Sequence, residues 1–213
     1  MRLAGKKLVW AIVIWAALAA AVALPVAAAA ASPLLAWRDP IYITAGFAGV
    51  IALGLMLVQP ILIGGYLPGL TAYRGRRVHL WVGGSLVIAV VIHVGGLWIT
   101  SSPDVIDALL FASPTPFSAW GVIAMWAIFA VALLVALRRR LRLRPRTFRI
   151  AHTMLAVVIV IGSVVHGLLI EGTMETMSKT ALSALVLMAT IKVMTDLRVW
   201  AKRTPSRQSA PQK

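Results

Sequence analysis

The stretch from Arg76 to Gly96, RRVHLWVGGSLVIAVVIHVGG, decides the fold. Between His79 and His93 it holds no charge, and Ser85 is its one polar side chain. A run of about 20 apolar residues crosses the hydrocarbon core of a bilayer as an α-helix, because only a helix pairs all of its backbone polar groups within the segment. Working outward, six such runs are found, at residues 8–31, 41–63, 78–100, 118–137, 150–170 and 180–200. They account for a chain that is 61% hydrophobic and only 13% charged. Apolar and polar residues do not alternate in segments of about ten, so a transmembrane β-barrel is excluded. The expected fold is all-α, a six-helix transmembrane bundle over residues 1–200. The polar tail at 201–213 is expected to be disordered.

The charges between the runs give an orientation. Arg2, Lys6 and Lys7 precede span 1, and Arg74, Arg76 and Arg77 lie between spans 2 and 3. Seven arginines from Arg138 to Arg149 lie between spans 4 and 5, and Arg198, Lys202, Arg203, Arg207 and Lys213 lie at or beyond the end of span 6. The opposite loops carry Asp39, Asp104, Asp107, Glu171 and Glu175, with Arg38 and Lys179 as their cations. Basic and acidic loops alternate along the chain. By the positive-inside rule both termini are cytoplasmic, in a membrane of the bacterial inner (plasma) type. The net charge of +15 is read as this topology signal rather than as a nucleic-acid footprint. Span 1 resembles a signal peptide in its Lys6-Lys7 start and alanine-rich end, but its length favours a retained helix. Lys192, inside span 6, has Asp196 four residues on and is read as structural. In the longest outer loop, 101–117, a short surface helix around Asp104 and Asp107 is expected. Pro60 is expected to stop or kink the second helix.

The chain has four histidines and no cysteine. Lack of cysteine excludes iron–sulfur clusters, thiolate ligation and covalently attached haem. His79 and His93 lie in span 3, and His152 and His166 in span 5, each pair 14 residues apart. Fourteen helical steps return to within about 40° of the same face and advance about 21 Å. One histidine of each pair therefore lies just inside each membrane boundary. Spans 3 and 5 run in the same direction, so His79 is level with His152 and His93 with His166. Two facing pairs at two depths are the arrangement that holds two haems by bis-histidine ligation. A zinc or copper site needs its ligands around one metal, and this spacing keeps the pairs apart. No Asp or Glu lies between the histidines of either span. Each second ring nitrogen is expected to donate to a backbone carbonyl one turn away. Gly83, Gly84, Gly95, Gly96, Gly162 and Gly167 are expected to let a flat macrocycle approach, and Arg76, Arg77 and Arg149 are candidate propionate partners. The tryptophans at span ends, such as Trp81, Trp98 and Trp120, fit an interfacial belt.

The runs Arg76-Arg77-Val78-His79-Leu80-Trp81-Val82-Gly83-Gly84, Arg149-Ile150-Ala151-His152 and Val165-His166-Gly167 resemble the ferric reductase-like transmembrane domain over about residues 41–200. The resemblance implies two haem b groups, His79 and His152 on the inner iron and His93 and His166 on the outer, with electrons flowing from the cytoplasmic side outward. It implies an oxidoreductase component. The sequence carries no dinucleotide fingerprint, so the donor is expected to be a separate protein, a membrane quinol or a flavin bound at the cytoplasmic side. The acceptor is expected at the periplasmic face, as a ferric chelate or a partner protein. The Arg138–Arg149 loop is a candidate docking surface for an acidic donor. Alternative readings are a haem-bearing membrane subunit serving a separate periplasmic reductase, such as a methionine sulfoxide reductase, an anchoring subunit without turnover, and a metal-ion transporter. The near absence of polar residues between His79 and His93 counts against the transporter.

Overall fold

The computed structural model describes residues 2–197. Arg198, the cations beyond it and the polar tail lie outside the described residues. Among the described residues there are seven α-helices, a short 3-10 turn at Pro33–Leu35 and no strand. The helices are α1 (Arg2–Ala30), α2 (Pro40–Gly64), α3 (Ala72–Thr100), α4 (Ser102–Leu109), α5 (Pro116–Leu137), α6 (Pro145–Leu169) and α7 (Thr176–Asp196). All but α4 are long and apolar enough to cross a membrane. The protein is an integral membrane protein with six candidate spans.

Local chemistry sets the helix ends. Helices α2, α5 and α6 each begin with proline in the first turn. There the missing N–H costs nothing and φ is already helical. The Asp39 carboxylate accepts from the Ile41 N–H at 2.7 Å, satisfying an orphan donor of α2. That helix runs through Pro60 to Gly64 and is capped by Gly65, whose φ of 69° is left-handed. Pro60 therefore does not stop it. Helices α3 and α6 start six and five residues before the apolar runs, because arginines such as Arg74, Arg76 and Arg146 are good helix formers and prolong the helix beyond the bilayer. A short helix is found where one was expected around Asp104 and Asp107: α4, opened by Ser102-Pro103. Lys192 Nζ sits 2.9 Å from Asp196 Oδ2, and the Tyr66 hydroxyl donates to the same carboxylate. This cluster ties the α2–α3 link to the end of α7.

Helix α2 is the centre of the bundle. It packs along α3 on one side and against α7 and α1 on others, while α5 packs along α6. Helices α3 and α6 are not a closely packed pair. The core between the two groups is built from Leu53 and Met56 of α2, Leu86 and Val90 of α3, Met125 of α5 and Val160 of α6, sealed by Leu182 and Val186 of α7. Leu86 and Val90 fall between His79 and His93, and Val160 falls between His152 and His166. The core is therefore an apolar layer separating two histidine levels. The outward surfaces of the spans are apolar as well, with Trp10, Ile88, Ile99 and Met188 exposed. A helix apolar on all sides is stable against lipid rather than water.

Candidate functional site: two histidine pairs at opposite ends of the bundle

Helices α3 and α6 bring the four histidines together in two pairs, as their common spacing predicts. The rings of His79 and His152 have centroids 6.1 Å apart and planes inclined by 59°. Those of His93 and His166 are 6.3 Å apart and inclined by 79°. All four are half-buried. The first pair lies at the end carrying the arginine loops, the second at the end carrying α4 and the acidic loops.

The spacing fits one particular use. With about 2 Å for each metal–nitrogen bond and about 1 Å from nitrogen to ring centre, two imidazoles on opposite sides of one iron have centroids about 6 Å apart. Aromatic rings in simple contact also meet at about 4.5–7 Å, so the second ring nitrogen carries the distinction. His93 Nδ1 lies 2.7 Å from the Ala45 carbonyl oxygen. His166 Nδ1 lies 2.9 Å from that of Phe117, and His79 Nδ1 3.3 Å from that of Gln59. A carbonyl only accepts, so each of these Nδ1 atoms carries the proton. In the neutral imidazole each Nε2 is then left as a lone pair, the form that binds a metal.

The expected carbonyls one turn away on the same helix are not the ones used. Ala45 and Gln59 belong to α2 and Phe117 to α5. A carbonyl one turn away points along its own helix axis into the backbone ladder, whereas a ring projects sideways toward a neighbouring helix. Access to the Ala45 and Phe117 carbonyls depends on glycine. A Cβ on Gly49 would stand 3.1 Å from His93 Nδ1, and one on Gly121 would stand 2.7 Å from His166 Nδ1. Gly49 follows Ala45 by four residues, and Gly121 follows Phe117 by four. In each case the residue directly above the accepting carbonyl has no side chain to shield it. These two glycines, and Gln59, are missed by sequence reasoning, because the partner helix cannot be assigned without the packing.

Of the glycines expected to admit a macrocycle, Gly96 instead packs against Ala45 and the Ile41 carbonyl, and Gly162 against Ala124 and the Trp120 carbonyl. These are close helix–helix contacts of the small-residue kind. Gly84 and Gly95 face open space. Arg76, Arg77 and Arg149 remain exposed.

His152 differs from the other three. Its Nδ1 is buried without a hydrogen-bond partner. Its ring is stacked instead on Phe148, 5.7 Å between centroids and 23° from parallel. The Arg138 guanidinium lies 4.4 Å from the centroid of the Phe148 ring. The Gln59 Oε1 is also buried and unpaired.

A cavity of about 770 Å³ opens beside the second pair, lined by His93, His166, Gly49, Gly121, Met56 and Lys179 among others. Its size lies in the range of cofactor and small-molecule sites, about 300–1,000 Å³. No cluster of three or more His, Cys, Asp or Glu side chains able to hold a metal ion occurs among the described residues. The donors come strictly in twos, as axial ligation of a macrocycle requires and as a protein-only zinc site does not.

The profile of the family described as ferric reductase like transmembrane component matches residues 45–163, more than half of the chain. The match takes in His79, His93 and His152 and stops three residues before His166, well short of the residue 200 to which the resemblance was drawn. No curated protein and no solved structure shows a significant match.

Proposed function

Because the chain belongs to the ferric reductase like transmembrane component family, whose members point to electron transfer in membranes, we propose that it carries electrons across the bilayer through two haem b groups. His79 and His152 would hold the inner iron and His93 and His166 the outer. The observation that carries this reading is the pair of ring spacings, 6.1 and 6.3 Å, combined with Nδ1 atoms turned to backbone carbonyls. Haem held there by these four histidines would supply reversible one-electron chemistry.

This chain's own residues do four things in that scheme. The histidines bind, each as a neutral imidazole. The Ala45 and Phe117 carbonyls hold the outer rings in orientation. The layer of Leu53, Leu86, Val90 and Val160 keeps water from the space between the two levels. The arginine loops mark the cytoplasmic end, with both termini on that side of an inner-type membrane. The donor would be a cytoplasmic-side protein, a bound flavin or a membrane quinol, and the acceptor a ferric chelate or a periplasmic protein. In service to a separate periplasmic reductase, such as a methionine sulfoxide reductase, the exposed Ile106, Leu110 and Phe111 on and after α4 would be the contact surface.

The test is the purified protein from haem-replete cells, reconstituted in liposomes enclosing a reductant. The reading expects a reduced-minus-oxidised b-type spectrum and reduction of external ferric citrate. Metal-dependent ion flux from a haem-free preparation would replace it with the transporter.

A further inference from the structure

Lys179 is one of three buried polar or charged side chains among the described residues, with only 7% of its surface exposed. It lies one turn into α7 and lines the same cavity as His93 and His166. Its Nζ donates to the Ile170 carbonyl at 2.8 Å, which caps the end of the helix that carries His166. That bond uses one of three ammonium donors; Asp104, Asp107 and Glu171 line the same cavity, but none of them pairs directly with the ammonium. Among the described residues the one ion pair is Lys192–Asp196, so no carboxylate stands within pairing distance of Lys179. Its ammonium sits between the negative end of the α6 dipole, at Ile170, and the positive end of the α7 dipole, so the two largely offset and neither replaces a counter-ion. A buried ammonium without a counter-ion is expensive, and such groups in membrane spans mark ligand or ion sites.

We propose that Lys179 is the charge partner of a ligand carboxylate in the outer cavity. Two sources offer that chemistry. One is a propionate of the outer haem, in which case the inference rests on the reading above. The other is a carboxylate of an incoming chelate such as ferric citrate. Thr173, at the α6–α7 link, is also buried and lines the cavity, with its hydroxyl packed against Gly46 of α2.

The test compares the full-length protein with Lys179→Met and Lys179→Arg, in detergent and in liposomes. If the partner is a propionate, Lys179→Met raises the oxidised-to-reduced ratio of the outer centre at fixed poise about tenfold, a fall of about 59 mV for one electron. The inner centre does not move, and Lys179→Arg restores the outer one. If the partner is the acceptor, both potentials stay in place, while KM for ferric citrate rises at least severalfold and KM for a cationic acceptor such as hexaammineruthenium does not change. A purely capping role predicts lower thermal stability with neither shift, and that result overturns the proposal. Should the wild type bind no haem, the function proposed above fails by itself, and citrate then decides the fate of Lys179. Protection of the wild type against thermal unfolding by citrate, absent in Lys179→Met, sustains the site, and equal behaviour of the two overturns it.

Discussion

The two histidine pairs come from the same two helices at the same spacing, yet they are held differently. In the outer pair both rings are fixed by backbone carbonyls of neighbouring helices, at 2.7 and 2.9 Å, through gaps left by Gly49 and Gly121. In the inner pair one ring has a longer bond of 3.3 Å and the other has none, its place taken by the face of Phe148. A carbonyl in a packed helix cannot rotate, whereas a phenyl ring can. Both outer rings are thus tied to the backbone framework, whereas the inner pair combines one longer backbone bond, from His79 to Gln59, with one side-chain face, Phe148 on His152. An orienting hydrogen bond also raises the basicity of an imidazole ligand, so with iron bound as proposed the outer pair would be the stronger electron donor.

The largest way to break this comparison is to remove ligands. His93→Ala or His166→Ala is expected to leave about one haem per chain in place of about two, with the inner centre retained, and to abolish reduction of an external acceptor. His79→Ala or His152→Ala is expected to spare the outer centre. Haem extraction with absorbance quantification checks each variant. Loss of both haems from any single change would mean that the two sites are not independent.

A graded series sharpens it. Gly121→Ala places a methyl 2.7 Å from His166 Nδ1, closer than any real contact, at an overpacking cost of about 1–3 kcal/mol. Loss of the carbonyl bond is expected to weaken outer haem retention by about 10- to 100-fold. Gly49→Ala, at 3.1 Å from His93, acts in the same direction and less strongly. Gly83→Ala meets only the end of the Gln59 side chain, also at 3.1 Å, and this flexible amide swings aside. It is the control with little effect. Competition of each variant with apomyoglobin for haem gives the order.

The smallest effect is at the inner end. Phe148→Leu removes the stacked face from His152 and is expected to cost about 0.5–1.5 kcal/mol, seen as a modest loss of the inner haem alone. An equal effect on the outer centre would remove the distinction between the two ends.

Much of this was legible in the sequence. The six spans follow from run length, and the two levels follow from a 14-residue spacing on helices running in one direction. What was not legible is everything contributed by a neighbouring helix. Nothing near His93 in the sequence points to Ala45, 48 residues away, or marks Gly49 rather than Gly96 as the residue that must stay small. Gly83, Gly84, Gly95 and Gly96 neighbour the histidines along the chain, but a ring reaches sideways, and its environment belongs to α2 or α5. Lys179 likewise read as a stray outer-loop cation, since burial is a property of packing. The helix starts at Ala72 and Pro145 were missed because hydropathy reports where lipid begins, not where hydrogen bonding does.

The most direct test is electron paramagnetic resonance of the oxidised protein, with haem quantified on the same sample. Ring planes inclined by 59° and 79° predict two low-spin ferric signals per chain, both strongly anisotropic and the outer one more so, with that outer signal alone missing in His93→Ala. A single signal in the wild type, a high-spin five-coordinate centre or a haem-free protein would contradict two bis-histidine sites.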